Sequence, residues 1–564
     1  MSTPEALASG PLASGALASA APRPDAFAPD ALGPEPLEVR TEPFGGGALV
    51  RAALDGALPV DSWYPAVPTG PAAWRARAES AREQYRAGAW LDLLAPAFDA
   101  RGAAAAALER VGGGAGVVVT TGQQPGLFGG PLYTLAKALS ARALAERLEP
   151  VIGFPVAPVF WAATDDTDWE EGRRAYVVGD RGLEELALTE APPDGTPVAR
   201  APLGTEVDGL RGRFARACGA AAYAPALDAL ARAYVGGRTS GDAYVQLLRD
   251  LFEPLGIAVL DASHPATRAA GFQLMRRALL RGAALADAVG ARSAAIEAAG
   301  FRPQVRDVAG LALVFREGHD GRKRRLRTDE ARALVPLVSP GDLAPNVLLR
   351  PVVERGILPT VAYVAGPGEY AYFAQVSAVA DALAVPRPVA VPRWSGTVVE
   401  ARVARTLGAL GLSVDALRDP HAAAAALARR LAPAGLQAEF DALRAAIDAR
   451  VAAVGGAADD VAGGDGPPLL SARAREGARL QLLGRVGRLE RRAMAGVKRR
   501  HADAMRALAA AEAALRPNGA RQERVLSFLP FLARYGPALT DKMLDGARVH
   551  ADALVRRGPT AGDV

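Results

Sequence analysis

Short apolar runs that end in polar or glycine-rich loops, with helical repeats between them, organise positions 38–400. Val117-Val118-Val119-Thr120-Thr121 is a β-branched run without polar alternation, the pattern of a strand buried on both faces. It stops at Gly122. After a glycine-rich loop, the spacing of Leu132, Leu135, Leu139, Leu144 and Leu148 predicts a helix opening near Pro131, a favoured place for proline. Further strands are predicted at 156–162, 257–260, 358–364 and 388–391. The 156–162 run leads into Thr164-Asp165-Asp166-Thr167-Asp168, and the 257–260 run passes through His264-Pro265 into a helix ending near Leu280. The 358–364 run opens Gly366-Pro367-Gly368-Glu369 and a helix from about Tyr370 to Leu383, and the last run ends at Pro392-Arg393. This alternation predicts an α/β fold with a largely parallel sheet and inserted segments at about 175–250 and 285–345. Ligands of such sheets sit beyond the carboxyl ends of the strands, which points to the loops 122–130, 164–171 and 366–369.

Beyond position 400 the pattern changes to Ala/Leu/Arg helix. Helical stretches are predicted at 421–453 and 470–515, separated by Gly455-Gly456, Gly463-Gly464 and Gly466-Pro467-Pro468. On the second, Leu482, Val486, Leu489, Ala493, Val497, His501, Met505 and Leu508 form one apolar stripe, with His501 as a seam residue. Unbroken, this helix would extend about 69 Å, so it is expected to project and pair, as a hairpin or with a second subunit. The expected organisation is a disordered tail at 1–37, an α/β core at 38–400, a helical coiled-coil arm at 401–520, and a segment 521–564 that folds back onto the core through Leu526, Phe528, Leu529, Phe531 and Leu532.

Composition narrows the chemistry. Of the 564 residues, 50% are hydrophobic, enough for a large core and against global disorder. The single Cys218 excludes an internal disulfide and has no neighbouring base that would make it a nucleophile. Five scattered histidines leave no zinc-site spacing. The uncharged run Val111–Ala136 is long enough to span a bilayer, but its eight glycines, two prolines and Gln123-Gln124 pair exclude a membrane helix. No signal peptide is expected, since the first residues lack a positive region followed by an apolar one, and the expected location is cytoplasmic. The net charge of +5 is uneven: residues 471–510 carry +8. That segment is either a solvated helical face or a phosphate-binding surface for RNA. It has no interleaved aromatic residues for base stacking, so nucleic acid is not the expected partner.

The 122–130 loop carries the most chemistry. Its glycines let backbone approach a ligand, and the helix start behind it offers unpaired N–H groups to phosphate or carboxylate. It is not a Walker loop, because no Gly-Lys-Ser/Thr follows and Lys137 lies a turn or more inside the helix. A tight turn without a ligand is the alternative. The second loop crowds together Asp165, Asp166, Asp168, Glu170 and Glu171, which are either solvated or matched by Mg²⁺, a substrate ammonium, or Arg173 and Arg174. Gly366, Gly368 and Glu369 combine helix-start donors with a carboxylate, and Arg350 suits a carboxylate or phosphate. A structural role competes at each. The run Arg322-Lys323-Arg324-Arg325-Leu326-Arg327 is read as an exposed turn.

Several segments together resemble the BshC family, the cysteine-adding enzymes of bacillithiol biosynthesis. They are Thr121-Gly122-Gln123-Gln124-x-Gly126-Leu127-Phe128-x-Gly130-Pro131-Leu132-Tyr133-Thr134, Pro158-Val159-Phe160-Trp161, Leu349-Arg350-Pro351, Gly366-Pro367-Gly368-Glu369-x-Ala371-Tyr372, Pro392-Arg393 and Gln522-Glu523-Arg524. The resemblance spans about 38–550 in one order. It implies a Rossmann-like core related to class I aminoacyl-tRNA synthetases, connecting-peptide insertions, and a coiled-coil arm that promotes homodimerisation. It also implies the reaction, in which cysteine is joined to glucosaminyl-malate through an amide bond. The family's acidic loop usually reads Glu-Asp-His-Asp, where this chain has Asp165-Asp166-Thr167-Asp168, so the imidazole is missing. The chain also lacks zinc ligands with which to hold a cysteine thiol.

On that resemblance an ATP-assisted ligation with Mg²⁺ is expected, because forming an amide from a free carboxylate in water is uphill. Thr121, Gln123 and Gln124 would orient the reacting carboxylate, and Asp165, Asp166 and Asp168 would hold an ammonium or Mg²⁺. One of these carboxylates would take the amine's proton. Gly122, Gly126, Gly129, Gly130 and Tyr133 would line the anion cradle, while Arg350, Gly366, Gly368, Glu369 and Arg393 would fix the glucosaminyl-malate. The alternatives are an RNA- or tRNA-binding protein using the basic helix 471–510 and a coiled-coil scaffold. A chain ending near residue 420 is expected to keep a ligand-binding core only if the protein is an enzyme.

Overall fold

The computed structural model describes residues 36–86, 88–180, 182–306, 309–460 and 469–560. The tail expected at 1–37 lies outside the described residues up to position 35, and Leu37 already opens a strand. The glycines and prolines at 463–468 also lie outside them.

Five parallel strands form the central sheet: β1 (Val117–Gln123), β2 (Val156–Ala162), β3 (Ala258–Asp261), β4 (Thr360–Ala365) and β5 (Ala390–Pro392), in the order β5-β4-β1-β2-β3. Val117 and Val119 point into one core and Val118 into another, so both faces are covered, which explains the unbroken β-branched run. β1 runs two residues further than the pattern suggested, because its pairing with β2 continues to Gln123 opposite Ala162. Glycine is required within that extension: a Cβ at Gly122 would lie 2.8 Å from the Trp161 carbonyl oxygen.

Helices α1 (Leu132–Ile152), α2 (Pro265–Leu280), α3 (Arg350–Ile357) and α4 (Pro367–Ala382) belong to this core. The chain leaves β1 outward through β2 and β3, then returns to place β4 on the other side of β1. The carboxyl ends of β1 and β4 therefore border the crevice where the strand order reverses.

Between β2 and β3 lie a hairpin, Arg174–Gly179 with Gly182–Ala187, and helices Glu206–Ala217, Ala224–Ala233 and Ser240–Phe252. Between β3 and β4 lie helix Gly282–Ala298 and a three-stranded antiparallel sheet with Leu311–Glu317 at its centre. Lys323–Arg327 is an edge strand of that sheet and not the exposed turn expected: Leu326 is buried and Lys323 and Arg325 are half-buried, while Arg324 and Arg327 stay exposed. Leu37–Thr41 pairs antiparallel with Gly396–Glu400, a contact across most of the chain that local pattern could not reveal.

The arm departs from expectation in three places. The first stretch divides into Pro420–Leu431 and α5 (Leu436–Asp460), around Pro433, whose missing N–H and fixed ring end a helix. α5 then runs straight through Gly455-Gly456, against α6 (Ala472–Arg500), with Asp448 on Arg479 at 2.8 Å and Arg444 paired to Glu490. The second stretch is not one helix either: it breaks at His501 (φ −108°, ψ 43°), where α7 (Ala502–Leu515) begins. His501 is thus a junction and not a seam residue. Of the stripe, Val486, Val497 and Leu508 are buried, while Leu482 and Leu489 are exposed.

α8 (Pro537–Arg557) lies along α1 and makes its most extensive packing contact. Among the described residues no helix is long and apolar enough to cross a membrane.

Candidate active site

Lys137 organises the crevice. Its Cα is in the second turn of α1, but helical side chains lean toward the helix N-terminus, so the ammonium reaches back to the end of β1. Nζ donates to the Gly122 carbonyl (2.7 Å) and to Gln123 Oε1 (2.8 Å), and pairs with Glu369 Oε2. Glu369 stands at the start of α4 and accepts from the Gly366 N–H (2.7 Å) and from the Tyr363 hydroxyl (2.6 Å). Arg350 donates to Tyr363 (3.3 Å), to Tyr372 (3.2 Å) and to Glu354 (2.9 Å). On the other side, the Gln123 amide donates to Glu171 (3.3 Å), as do Gln124 (2.5 Å) and the Tyr133 hydroxyl (2.9 Å). One connected polar network thus runs from the acidic loop, across the end of β1, to α3 and α4.

Charge states follow from burial and neighbours. Burial raises the proton affinity of Glu171, and Asp168 and Asp166 add to it, against the Tyr133 hydrogen bond. Asp166 is raised for the same first reason, with Asp165 and Asp168 beside it. Burial acts to raise Glu369 too, but the Lys137 ammonium and the Tyr363 and Gly366 donors outweigh it and hold it below the usual carboxylate range. Burial pulls the Lys137 ammonium below its ordinary value, with Glu369 opposing.

Glu354 is pushed up to about 7 by burial despite Arg350. Between its ordinary 4.5 and 7 the folded chain holds a proton that the unfolded chain releases, so stability falls as pH rises through this window and levels off above it. The expected loss from this group is about 3 kcal/mol. Glu354→Gln should remove that part of the slope, read by urea unfolding at either end of the window; an unchanged slope would mean Glu354 is already ionised throughout.

The structure separates the residues predicted from sequence. Gln123, Gln124, Tyr133, Arg350, Gly366 and Glu369 join the network, and Gly122 supplies a carbonyl to it. Thr121 is buried and donates to the Val364 carbonyl (2.8 Å), tying β1 to β4 and leaving no hydroxyl for a substrate. Gly126, Gly129 and Gly130 do not line an open cradle. Gly129 abuts Phe528, Gly126 abuts Gly130, and the Leu132 N–H at the head of α1 already donates to the Leu526 carbonyl (2.8 Å). The carboxyl-terminal segment has packed shut the place expected for phosphate.

Asp165 pairs with Lys323 (3.3 Å), and Asp168 caps the short helix Trp169–Gly172 by accepting from the Glu171 N–H (3.1 Å). Asp165 and Asp168 are thus engaged within the protein, and among the described residues no group of three or more His, Cys, Asp or Glu is placed to hold a metal ion. Arg393 is buried and grips Glu523 in a bidentate pair (2.8 Å each), so it anchors the carboxyl-terminal segment and does not reach toward a substrate. Cys218 is buried, and burial pushes its thiol up to about 11.

Beside the network opens a cavity of about 780 Å³ lined by Phe44, Phe301, Arg302, Gly368, Arg521 and Arg524, with the engaged Glu523 at its floor. Arg302 and Arg524 carry no ion pair among the described residues, and Arg521 donates only to the carbonyls of Pro43 and Phe44 (2.6 and 3.0 Å). The cavity therefore favours an anion. Sequence reasoning gave no role to Lys137, Glu354, Glu523 or these arginines, although Glu523 and Arg524 lie in a segment that resembles the family. A lone lysine in an Ala/Leu helix was the available signal for the first.

A doubly wound parallel sheet with its polar network at the strand-order reversal defines a Rossmann-like α/β enzyme class. Two family models match: the BshC N-terminal Rossmann-like domain of bacillithiol biosynthesis over residues 47–394, and the BshC C-terminal coiled-coil domain over 396–552. The chain belongs to the BshC family, the cysteine ligase family of bacillithiol biosynthesis. It is 31% identical to a protein of Salinibacter ruber over 78% of this chain and 82% of the relative. It is 32% identical to one of Koribacter versatilis over 81% and 86%, and 28% identical to one of Geobacillus thermodenitrificans over 90% and 97%. Each bears the name "Putative cysteine ligase BshC".

Proposed function

We propose that this chain joins the carboxyl group of cysteine to the amine of glucosaminyl-malate, forming the amide of bacillithiol. The supporting observation is a basic cavity whose lining Gly368 adjoins Glu369, which is linked through Lys137 and Gln123 to Glu171, a half-buried carboxylate of raised proton affinity. The malate carboxylates would meet Arg302, Arg521 and Arg524, whose planar guanidiniums suit such groups. The attacking amine must lose a proton. Glu171, oriented by Tyr133, Gln123 and Gln124, would accept it, taking the role for which the loop lacks a histidine. Gln123 and Gln124 then position this base instead of the reacting carboxylate. The cysteine carboxylate would enter activated by ATP; the amine nitrogen attacks its carbonyl carbon, and the activating phosphate leaves with the bonding electron pair. Lys137 keeps a fixed positive charge beside the strand end where negative charge develops. The arm would pair with a second copy of the chain through the exposed Leu480, Leu482 and Leu489 of α6.

The test is to incubate the purified protein with glucosaminyl-malate, cysteine and ATP, with and without Mg²⁺, and look for the bacillithiol mass. Glu171→Gln is expected to lower kcat by about 10²–10⁴ with little change in KM and to flatten the acid limb of the pH–rate profile. Absence of product under every combination, or a wild-type rate in Glu171→Gln, rejects the proposal.

A further inference from the structure

A second basic cavity, of about 690 Å³, lies at the opposite edge of the sheet. The residues that line it precede β4 and β5 (Arg355, Gly356, Val385, Pro386) or end α2 (Gln273, Arg276, Arg277), so it opens at the amino ends of the strands, away from the crevice. Its lining contains three arginines, two glutamines and Tyr85, and no acid.

Arg355 is the notable member. It is only 4% exposed, makes one side-chain hydrogen bond (NH2 to Gln84 Oε1, 2.7 Å), stacks over Tyr85 at 5.9 Å, and has a buried Nε without a partner. Arg77 stands behind it, bonded only to the carbonyls of Val361 and Arg387 (3.5 and 3.4 Å). Burial and then the Arg355 charge lower Arg77, to about 10; burial lowers Arg355 while Tyr85 opposes it, and no carboxylate acts on either guanidinium. Burying a cation without a counter-ion is costly, and two facing one another more so. Arg276 and Arg277 at the rim are exposed; Arg276 touches only Gln273 (3.3 Å) and Arg277 has no ion pair among the described residues.

We infer that this cavity binds a phosphorylated small molecule, its phosphate on Arg355, Arg276 and Arg277 and its apolar part against Leu274, Val352 and Val385. Phosphate matches three guanidiniums because each group brings about two charges and several acceptors, and the volume suits a ligand of small-cofactor size. The helix that carries Arg355, α3, also carries Arg350 and Glu354 of the catalytic network, so an occupant would bear on the element that links the two edges.

The test is calorimetric titration of the full chain with inorganic phosphate, pyrophosphate and ADP. Saturable binding is expected, weakening with added salt. The paired substitutions Arg276→Glu and Arg277→Glu, both at exposed positions, are expected to weaken it at least tenfold without changing the melting temperature. Arg302→Ala with Arg524→Ala, at the catalytic cavity, should leave that binding in place. The inference fails if none of the three probes binds. It also fails if the rim reversal leaves affinity unchanged while the catalytic-cavity pair abolishes it. A further outcome, in which Arg355→Gln lowers stability and no variant alters binding, would assign Arg355 to packing and reject the site.

Discussion

Replacing Lys137 with methionine is expected to abolish product formation and to destabilise the fold by about 3–5 kcal/mol, because it strands the Glu369 carboxylate in a buried position without its cation. The Gln123 side chain and the Gly122 carbonyl lose a donor in the same step. The paired change Lys137→Met with Glu369→Gln removes both charges and should recover most of the stability while activity stays lost. Denaturant unfolding and the bacillithiol assay read the two effects separately. A Lys137→Met protein as stable as the parent would mean that Glu369 is neutral in the folded state, contrary to the low proton affinity inferred for it.

An effect of similar size is expected from Arg393→Leu. The Arg393–Glu523 pair is almost wholly buried, and Arg393 also donates to the Trp394 carbonyl (2.8 Å) and to Ser395 Oγ (3.0 Å). Removing one partner should cost about 3–5 kcal/mol, whereas Arg393→Leu with Glu523→Leu should restore part of it. The loss should be local in character. Amide exchange is expected to rise first over 522–535, and proteolysis to begin there, because this pair anchors that segment to the end of β5. Exchange rising evenly across the chain would contradict this. The same dependence revises the truncation argued from sequence: a chain ending near residue 420 lacks Glu523, the Leu526 carbonyl and α8, so loss of ligand binding in it would not mark the protein as a scaffold.

The strands and the polar loops at their ends were legible because buried parallel strands write themselves as β-branched runs, as at Val117–Val119. The arrangement around them was less so. Spacing along the chain puts Lys137 a turn or more away from the loop, whereas its side chain leans back by about a turn and closes that distance. The glycines at 126, 129 and 130 looked like a ligand cradle, since glycine signals close approach without saying of what; here it is Phe528 and neighbouring backbone. Arg393 and Glu523 are far apart in the chain, and neither residue names the other. The break at His501 lies within an uninterrupted apolar repeat, and only packing of α7 onto a separate cluster with Val403, Leu407 and Leu417 decides it.

The shut cradle carries a further meaning for how the molecule matures. The groups that finish the crevice from behind, at positions 523, 526 and 528, follow every strand of the central sheet along the chain. A nascent chain that has emerged through residue 500 holds every strand of the sheet yet still has a bare helix head at Leu132 and an unmatched guanidinium at Arg393. The crevice is therefore completed only once positions 523–528 have joined the fold, after the sheet itself has been assembled.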